Sequence, residues 1–143
     1  MQVSQLFNLK WFAGFFDGEG SVTLALGRYI NKQGFRNPRL LVRISQNNTR
    51  ILGLIKRRFK GGYISPDKHI SFEYGNAERL LRKILPHLVV KKKAAELGLK
   101  HRELLNQKRV GGKGAGKGTP YSKAWQRKQM NLRKKLMRLN AKD

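Results

Sequence analysis

Apolar and polar positions alternate along this chain with a period that switches from helical to extended and back, and the switches predict its elements. An apolar run begins at Leu9 behind Asn8, a good N-cap. It predicts a short helix ending at Gly18 or Gly20, residue types that suit helix C-termini. From 21 to 28 the period falls to two, predicting a strand with Val22, Leu24 and Leu26 toward a core and Ser21, Thr23, Ala25 and Gly27 on the other face. A basic, turn-rich loop follows at 29–38. Residues 40–46 read as a second strand with Leu40, Val42 and Ile44 buried and Arg39, Leu41 and Arg43 opposite.

The same alternation then repeats. Asn47-Asn48-Thr49 supplies caps for a helix over 50–60, with Ile51, Leu52, Ile55 and Phe59 inward and Gly61 as its stop. A shorter strand pair, 62–65 and 69–74, turns through Pro66-Asp67-Lys68. Asn76 reads as the cap of a helix over 77–85 that Pro86 ends, with Leu80, Leu81, Ile84 and Leu85 as its stripe. A further helix over 88–107 carries Val90, Ala94, Leu97, Leu104 and Leu105.

The pattern lapses at 111–118, a glycine and lysine stretch read as a flexible linker. Gly111, Gly116 and Lys117 almost form a P-loop, but Gly118 stands where a hydroxyl should bind magnesium and no strand precedes it, so a nucleotide site is not expected. Thr119-Pro120 reads as the start of a last helix with Trp125, Leu132, Leu136 and Leu139 on one face and a dense basic face opposite. That helix either covers the domain or lies along phosphates. The expected organisation is a core domain at 1–109, a linker at 110–119 and a basic helix at 120–143.

Charge changes what this domain is expected to meet. The chain has 32 Lys and Arg against 8 Asp and Glu in 143 residues, a net charge of +24. That points to a polyanion, with nucleic acid ahead of a membrane surface, because the apolar runs are shorter than the ~20 residues a span needs. No Cys is present, which excludes disulfides, thiolate metal sites and cysteine nucleophiles. His69, His87 and His101 lack ligand spacing and read as surface or groove residues. No basic region precedes the short apolar run at 11–16, so a signal peptide is not expected and the mature chain is expected to start at or near Met1.

With so few acids, Asp17 and Glu19 at the end of the most apolar stretch require a reason. A helix C-terminus disfavours carboxylates unless a cation or another donor compensates. Gly14 and Gly18, four apart and widened by Ala13, make a small-residue face on which a second backbone can approach. Two copies packed there would bring two Glu19 carboxylates together, an arrangement stable mainly around hard divalent cations. On composition alone, Gly18-Glu19-Gly20 reads equally well as a turn carrying a solvated acid.

Residues 12–20, FAGFFDGEG, resemble the nine-residue signature of the LAGLIDADG homing endonucleases. Ala13, Gly14, Asp17 and Gly20 stand at their expected places, Phe12, Phe15 and Phe16 replace aliphatic positions, Gly18 stands where a small residue is usual, and Glu19 occupies the catalytic acid position. The element order over about 5–107 is similar to the single-motif, homodimeric branch of that family. The resemblance implies an α+β fold, αββαββα, with a curved antiparallel sheet on the DNA major groove and an extra C-terminal helix.

It further implies a homodimer joined through Ala13, Gly14, Asp17 and Gly18, with Glu19 and Gly18 forming a site for Mg2+ or another divalent cation such as Mn2+. Gln46, Lys91 and Arg50 would complete the catalytic set beside Glu19. Without the resemblance, Lys91 would read as one member of the solvated run Lys91-Lys92-Lys93. The DNA-facing positions would be Thr23, Ala25, Gly27, Arg39, Leu41, Arg43, Ser65, Asp67, Ser71 and Glu73, with Arg28 and Arg36 from the basic loop. Arg43 is the best placed to read a guanine edge, with a phosphate contact as its alternative. Glu73 would accept from a cytosine or pair with a nearby cation. The expected activity is a site-specific double-strand break in a long, near-palindromic DNA site, of the group I intron-encoded type. An RNA-binding maturase acting on intron RNA is the alternative; a module that binds without cutting is weakened by the presence of Glu19, Gln46 and Lys91. An organelle or a bacterial or archaeal cytoplasm would suit either reading.

Overall fold

Asn8 starts α1, Leu9–Glu19, by accepting the backbone N–H of Trp11 on its side-chain oxygen at 2.8 Å. In the computed structural model, which describes residues 8–30, 34–110 and 122–141, this helix runs directly into β1, Gly20–Leu26. Then follow β2, Pro38–Ser45; α2, Thr49–Arg58; β3, Tyr63–Ser65; β4, His69–Glu73; α3, Tyr74–Ile84; a short 3-10 turn, Leu85–His87; α4, Lys92–Val110; and α5, Lys123–Ala141. The stretch at 111–118 with its partial P-loop pattern, and the Thr119-Pro120 start signal, lie outside the described residues.

The strands form one antiparallel sheet in the order β1-β2-β4-β3, and the helices share one of its faces, giving an α+β architecture. Period-two alternation decides which side is covered. Val22, Leu24, Leu40, Val42, Ile44, Ile70 and Phe72 are all buried and all point the same way. Phe12 and Phe16 of α1, Leu52 and Ile55 of α2, and Leu80, Leu81 and Ile84 of α3 close over them. The ring of Phe59 sits 4.8 Å from that of Phe12 and edge-on to Phe72, joining α1, α2 and β4. At Gly98 of α4 an added Cβ would fall 2.7 Å from Leu40 and 3.2 Å from Val22, so only glycine allows that helix to lie this close to the sheet.

The basic last helix packs on the core. Trp125, Leu132 and Leu136 are buried, and Arg133 and Asn140 donate side-chain hydrogen bonds to the carbonyls of Leu24 and Val22, each at 3.0 Å. Those carbonyls lie on the outer edge of β1, where no further strand pairs among the described residues, so α5 blunts an open sheet edge. No helix among the described residues is long and apolar enough to cross a membrane.

Several expectations are corrected. Leu26 has the core parity but is 39% exposed, because β1 ends there and runs past the covering helices. Val90 belongs to no helical stripe: it is 61% exposed in the segment between the 3-10 turn and α4. Asn76 does not cap α3. That helix begins at Tyr74, held at φ +54° immediately after β4, and the Asn76 side chain bonds Arg79 inside the first turn and fills the space beside Gly61. His101 is buried at 1% exposure between α4 and α5, where its Nδ1 meets Gln129 Oε1 at 2.5 Å.

Candidate functional site

The signature residues separate by direction. Phe12, Ala13 and Phe16 point into the chain's own core and are fully buried. Gly14 and Gly18 point outward, with nothing among the described residues within 4 Å of where a Cβ would stand. Ala13 therefore does not widen the glycine face; it belongs to the core. Trp11 on the same helix, stacked on Phe15 at 5.4 Å, and Val89, whose N–H bonds Asp17, also leave apolar surface exposed. Gly20 has a different reason: the ring of Phe16 lies 2.4 Å from its would-be Cβ, and this contact seals the passage from α1 into β1.

The two acids have distinct roles. Asp17 accepts the backbone N–H of Val89 at 3.0 Å and of Lys91 at 2.9 Å, which supplies the donors a carboxylate at a helix C-terminus requires. It is occupied within its own chain rather than free for a dimer contact. Glu19, one turn position further, is exposed and makes no hydrogen bond or ion pair among the described residues.

Sheet register gathers the catalytic candidates at one end. Gly20 is opposite Ile44, so Glu19 and Gln46 flank the same end of the β1–β2 pair. Gln46 is held by its N–H to the carbonyl of Lys68 at 3.0 Å, and its side-chain oxygen accepts from Asn48 N–H at 3.2 Å. Asn48 in turn caps α2 through the N–H of Arg50 at 3.1 Å, which sets exposed Arg50 at the start of that helix. Lys91, half-buried, arrives through its backbone bond to Asp17, and its carbonyl accepts from Ala95 to begin α4. Glu19, the stretch from Gln46 to Arg50, and Lys91 thus come from three separate segments to one edge of the fold.

Away from the core, the other sheet face carries Thr23, Ala25, Arg39, Leu41, Arg43, Ser71 and Glu73, none of them buried. Arg43 is exposed and lies between Ser21 and Ser71 in register, toward the Glu19 end. Arg39 and Glu73 lie at the far end, joined as an ion pair, which is the second of the two roles expected for Glu73. Ser65 and Asp67 form the β3–β4 turn: Ser65 Oγ accepts from Asp67 N–H and meets His69 Nδ1 at 2.9 Å. Gly27 donates its N–H to Asn37 at 2.8 Å, and a Cβ would crowd that carbonyl, so its place is fixed by strand closure. Arg28 and Arg36 are exposed in the basic loop.

Among the described residues no cluster of three or more His, Cys, Asp or Glu could hold a metal ion. One chain supplies only the unpartnered carboxylate of Glu19, and a divalent cation fits here if a second carboxylate comes across the open Gly14–Gly18 face. Gln129, buried beside His101, was missed from sequence, since a glutamine within a basic helix face carries no local mark of burial.

The sequence profile of the LAGLIDADG endonucleases matches residues 12–98. This chain belongs to that family, whose members are site-specific DNA endonucleases, hydrolases of the phosphodiester bond. No curated protein matches it in sequence. Among solved structures it is similar to the archaeal intron-encoded homing endonuclease I-Vdi141I complexed with DNA, at 19% identity and a TM-score of 0.68 over 94% of this chain and 85% of that one. It is also similar to I-CvuI in complex with its target in the presence of calcium, at 22% identity and a TM-score of 0.55 over 96% of both chains. A third likeness, to I-GzeII in complex with its DNA target, has 18% identity and a TM-score of 0.56, covering 93% of this chain but 43% of that one.

Proposed function

We propose that two copies of this chain pair through the Gly14–Gly18 face and cut both strands of a long, near-palindromic DNA site. The observation that carries this reading is the unpartnered Glu19 carboxylate beside a helix face left bare by its glycines, on a helix that also exposes Trp11. Two-fold pairing of α1 is isologous, so it would set the two Glu19 residues across the axis from each other. The 43% coverage of I-GzeII supports the reading too, as one of two halves would give it.

A divalent cation held by Glu19 of both copies, with Gly18 beside it, would supply an activated water and stabilise charge on the phosphate and leaving oxygen. Gln46, whose side-chain oxygen is already bonded to Asn48, has its amide left to orient a water. Lys91 and Arg50 bring positive charge to the same edge, where it stabilises an additional negative charge on the phosphoryl group. The outward sheet face lies in the major groove, with Arg43 nearer the scissile centre and Arg39 nearer the end of each half-site. A second reading, binding of intron RNA by a maturase, rests on the exposed Lys128, Lys134, Lys135 and Arg138 of α5.

Incubating the protein with randomised duplexes and magnesium, then sequencing cut ends, tests the main reading. Recurrent cuts within one near-palindromic motif are the expected result. A structured RNA bound far more tightly than any duplex, with no cleavage, would replace it with the maturase.

A further inference from the structure

The far end of the sheet holds a feature that phosphate binding does not explain. Glu73 is the one acid among the outward strand positions, on a chain with 8 acids against 32 basic residues. A carboxylate on a surface meant for DNA repels phosphates. Stability does not account for it either: it pairs with Arg39, but at 41% exposure for Glu73 and 20% for Arg39 solvent screens such a pair and it adds little.

The geometry of the pair is specific. Arg39 Nη1 bonds one oxygen of Glu73, while the other oxygen of Glu73 has no hydrogen bond among the described residues. Among the described residues Arg39 Nη2 likewise has no hydrogen bond and is the donor left for a base, whereas Nε is buried without a partner. The pair spans β2 and β4, so a free donor and a free acceptor stand side by side on the outward face. Tyr74, next in the chain, is held at φ +54°, a left-handed conformation that L-residues rarely adopt. It ends β4 one residue after Glu73 and turns the backbone into α3, so that Glu73 is the last outward position on its strand. Beside the pair opens a cleft of about 530 Å3, lined by Arg28, Tyr29, Asn37, Tyr74 and Arg102.

A donor and an acceptor held side by side match one base pair in particular. In the major groove guanine offers O6 and N7 as acceptors and its cytosine offers the N4 amine as donor, whereas an A·T pair carries its amine on the purine and a methyl group on the pyrimidine. We infer that Arg39 and Glu73 act together as a specificity element for a G·C pair near the outer end of each half-site, Arg39 donating to guanine and Glu73 accepting from cytosine. This rests on the proposed endonuclease reading. Arg39 lies five residues from Ile44, the partner of Gly20, so at ~3.3 Å per residue the pair stands about 17 Å out, roughly five base-pair steps. Glu73 has a second effect: by holding Arg39 and repelling phosphate, it suppresses binding to unrelated duplexes.

The test is enrichment of bound duplexes from a randomised library, without divalent metal, for the wild type, Glu73→Ala and Arg39→Lys. The wild type should enrich G·C at one symmetric pair of outer positions. Both variants should lose that preference by about 5- to 150-fold and keep the rest of the motif. Glu73→Ala should also bind unrelated duplexes more tightly than the wild type, as loss of any carboxylate from that face would, so the change in G·C preference decides the assignment. Arg39→Lys keeps the charge and carries the test should Glu73→Ala unfold. An unchanged preference in both variants, or an equal loss at every position, overturns the assignment while leaving the endonuclease intact. A wild type that enriches no duplex overturns both.

Discussion

The carboxylate of Asp17 accepts the backbone N–H of Lys91 at 2.9 Å, fixing the end of the signature helix to the segment that leads into α4. Through this bond an acid two residues from Glu19 determines where a distant lysine stands. Asp17→Asn would present an amine to one of the two N–H groups it now accepts, a donor facing a donor. We predict a fall in single-turnover cleavage of about 2- to 12-fold, the equivalent of roughly 0.5–1.5 kcal/mol for one part-buried hydrogen bond, with affinity for DNA changed little. Lys91→Met should resemble it. Lys92→Met and Lys93→Met, at exposed positions, should not; if all three lysines behave alike, Lys91 is only part of a solvated run.

Dimerisation depends on two bare positions. Gly14→Leu would insert a side chain into the space where the partner helix must pass, and sedimentation should then show monomer at concentrations where the wild type is a dimer. Because nothing among the described residues lies within 4 Å, the variant should keep its fold, as read by circular dichroism. A wild type that sediments as a monomer at micromolar concentration, with and without DNA, contradicts the pairing.

Gly98 gives the opposite case, a glycine needed within one chain. Gly98→Ala places a methyl 2.7 Å from Leu40 and 3.2 Å from Val22, so α4 must lift off the sheet or both side chains must shift. Overpacking of this kind costs about 1–3 kcal/mol, measurable by denaturant unfolding. Gly53→Ala, where nothing lies near, serves as the control.

Stability should also depend on pH in a defined window. Burial holds His101 below its ordinary value of 6.5; the Arg102 charge adds to this, and the hydrogen bond to Gln129 opposes it. As pH falls through 6.5 the unfolded chain takes up a proton that the native chain refuses, so stability is full above that value and declines below it. The slope is at most about 1.4 kcal/mol per pH unit from this group. For Glu78, burial acts upward, but hydrogen bonds and charge from Arg102 and Arg82 outweigh it and hold it below 4.5, which adds a second loss below that pH. Thermal melts from pH 8 to 4 should show both, and His101→Leu should remove the first whatever it does to absolute stability.

The features legible in the sequence are those that local physics determines. Leu40, Val42 and Ile44 alternate with arginines and a leucine, and no neighbour was needed to know which face they share; Asn8 and Asn48 cap helices with their own side chains. What was misread depends on distant chain. Ala13 looks like a companion of Gly14 until Phe12 and Phe16 turn that side of the helix inward. Val90 fits a helical stripe, but Asp17, more than seventy residues earlier, holds its neighbours Val89 and Lys91 outside any helix. His101 shows no sign of burial until α5 brings Gln129 against it. At the site, Glu19 was identifiable as an acid needing a reason, whereas the donors that satisfy Asp17 belong to a backbone that no motif marks.

The central claim is that Glu19 acts on the reaction rather than on the fold or on DNA binding, and one comparison tests it most directly. On a duplex that the wild type cuts in magnesium, Glu19→Gln keeps the size of an exposed side chain that has no partner among the described residues and removes only its charge. Binding and cleavage should be measured on the same duplex, with melting temperature as the control for folding. The account predicts unchanged melting, affinity within a few-fold of the wild type or tighter, and no detectable cleavage. A Glu19→Gln protein that folds, binds and still cuts at a rate near that of the wild type would contradict it.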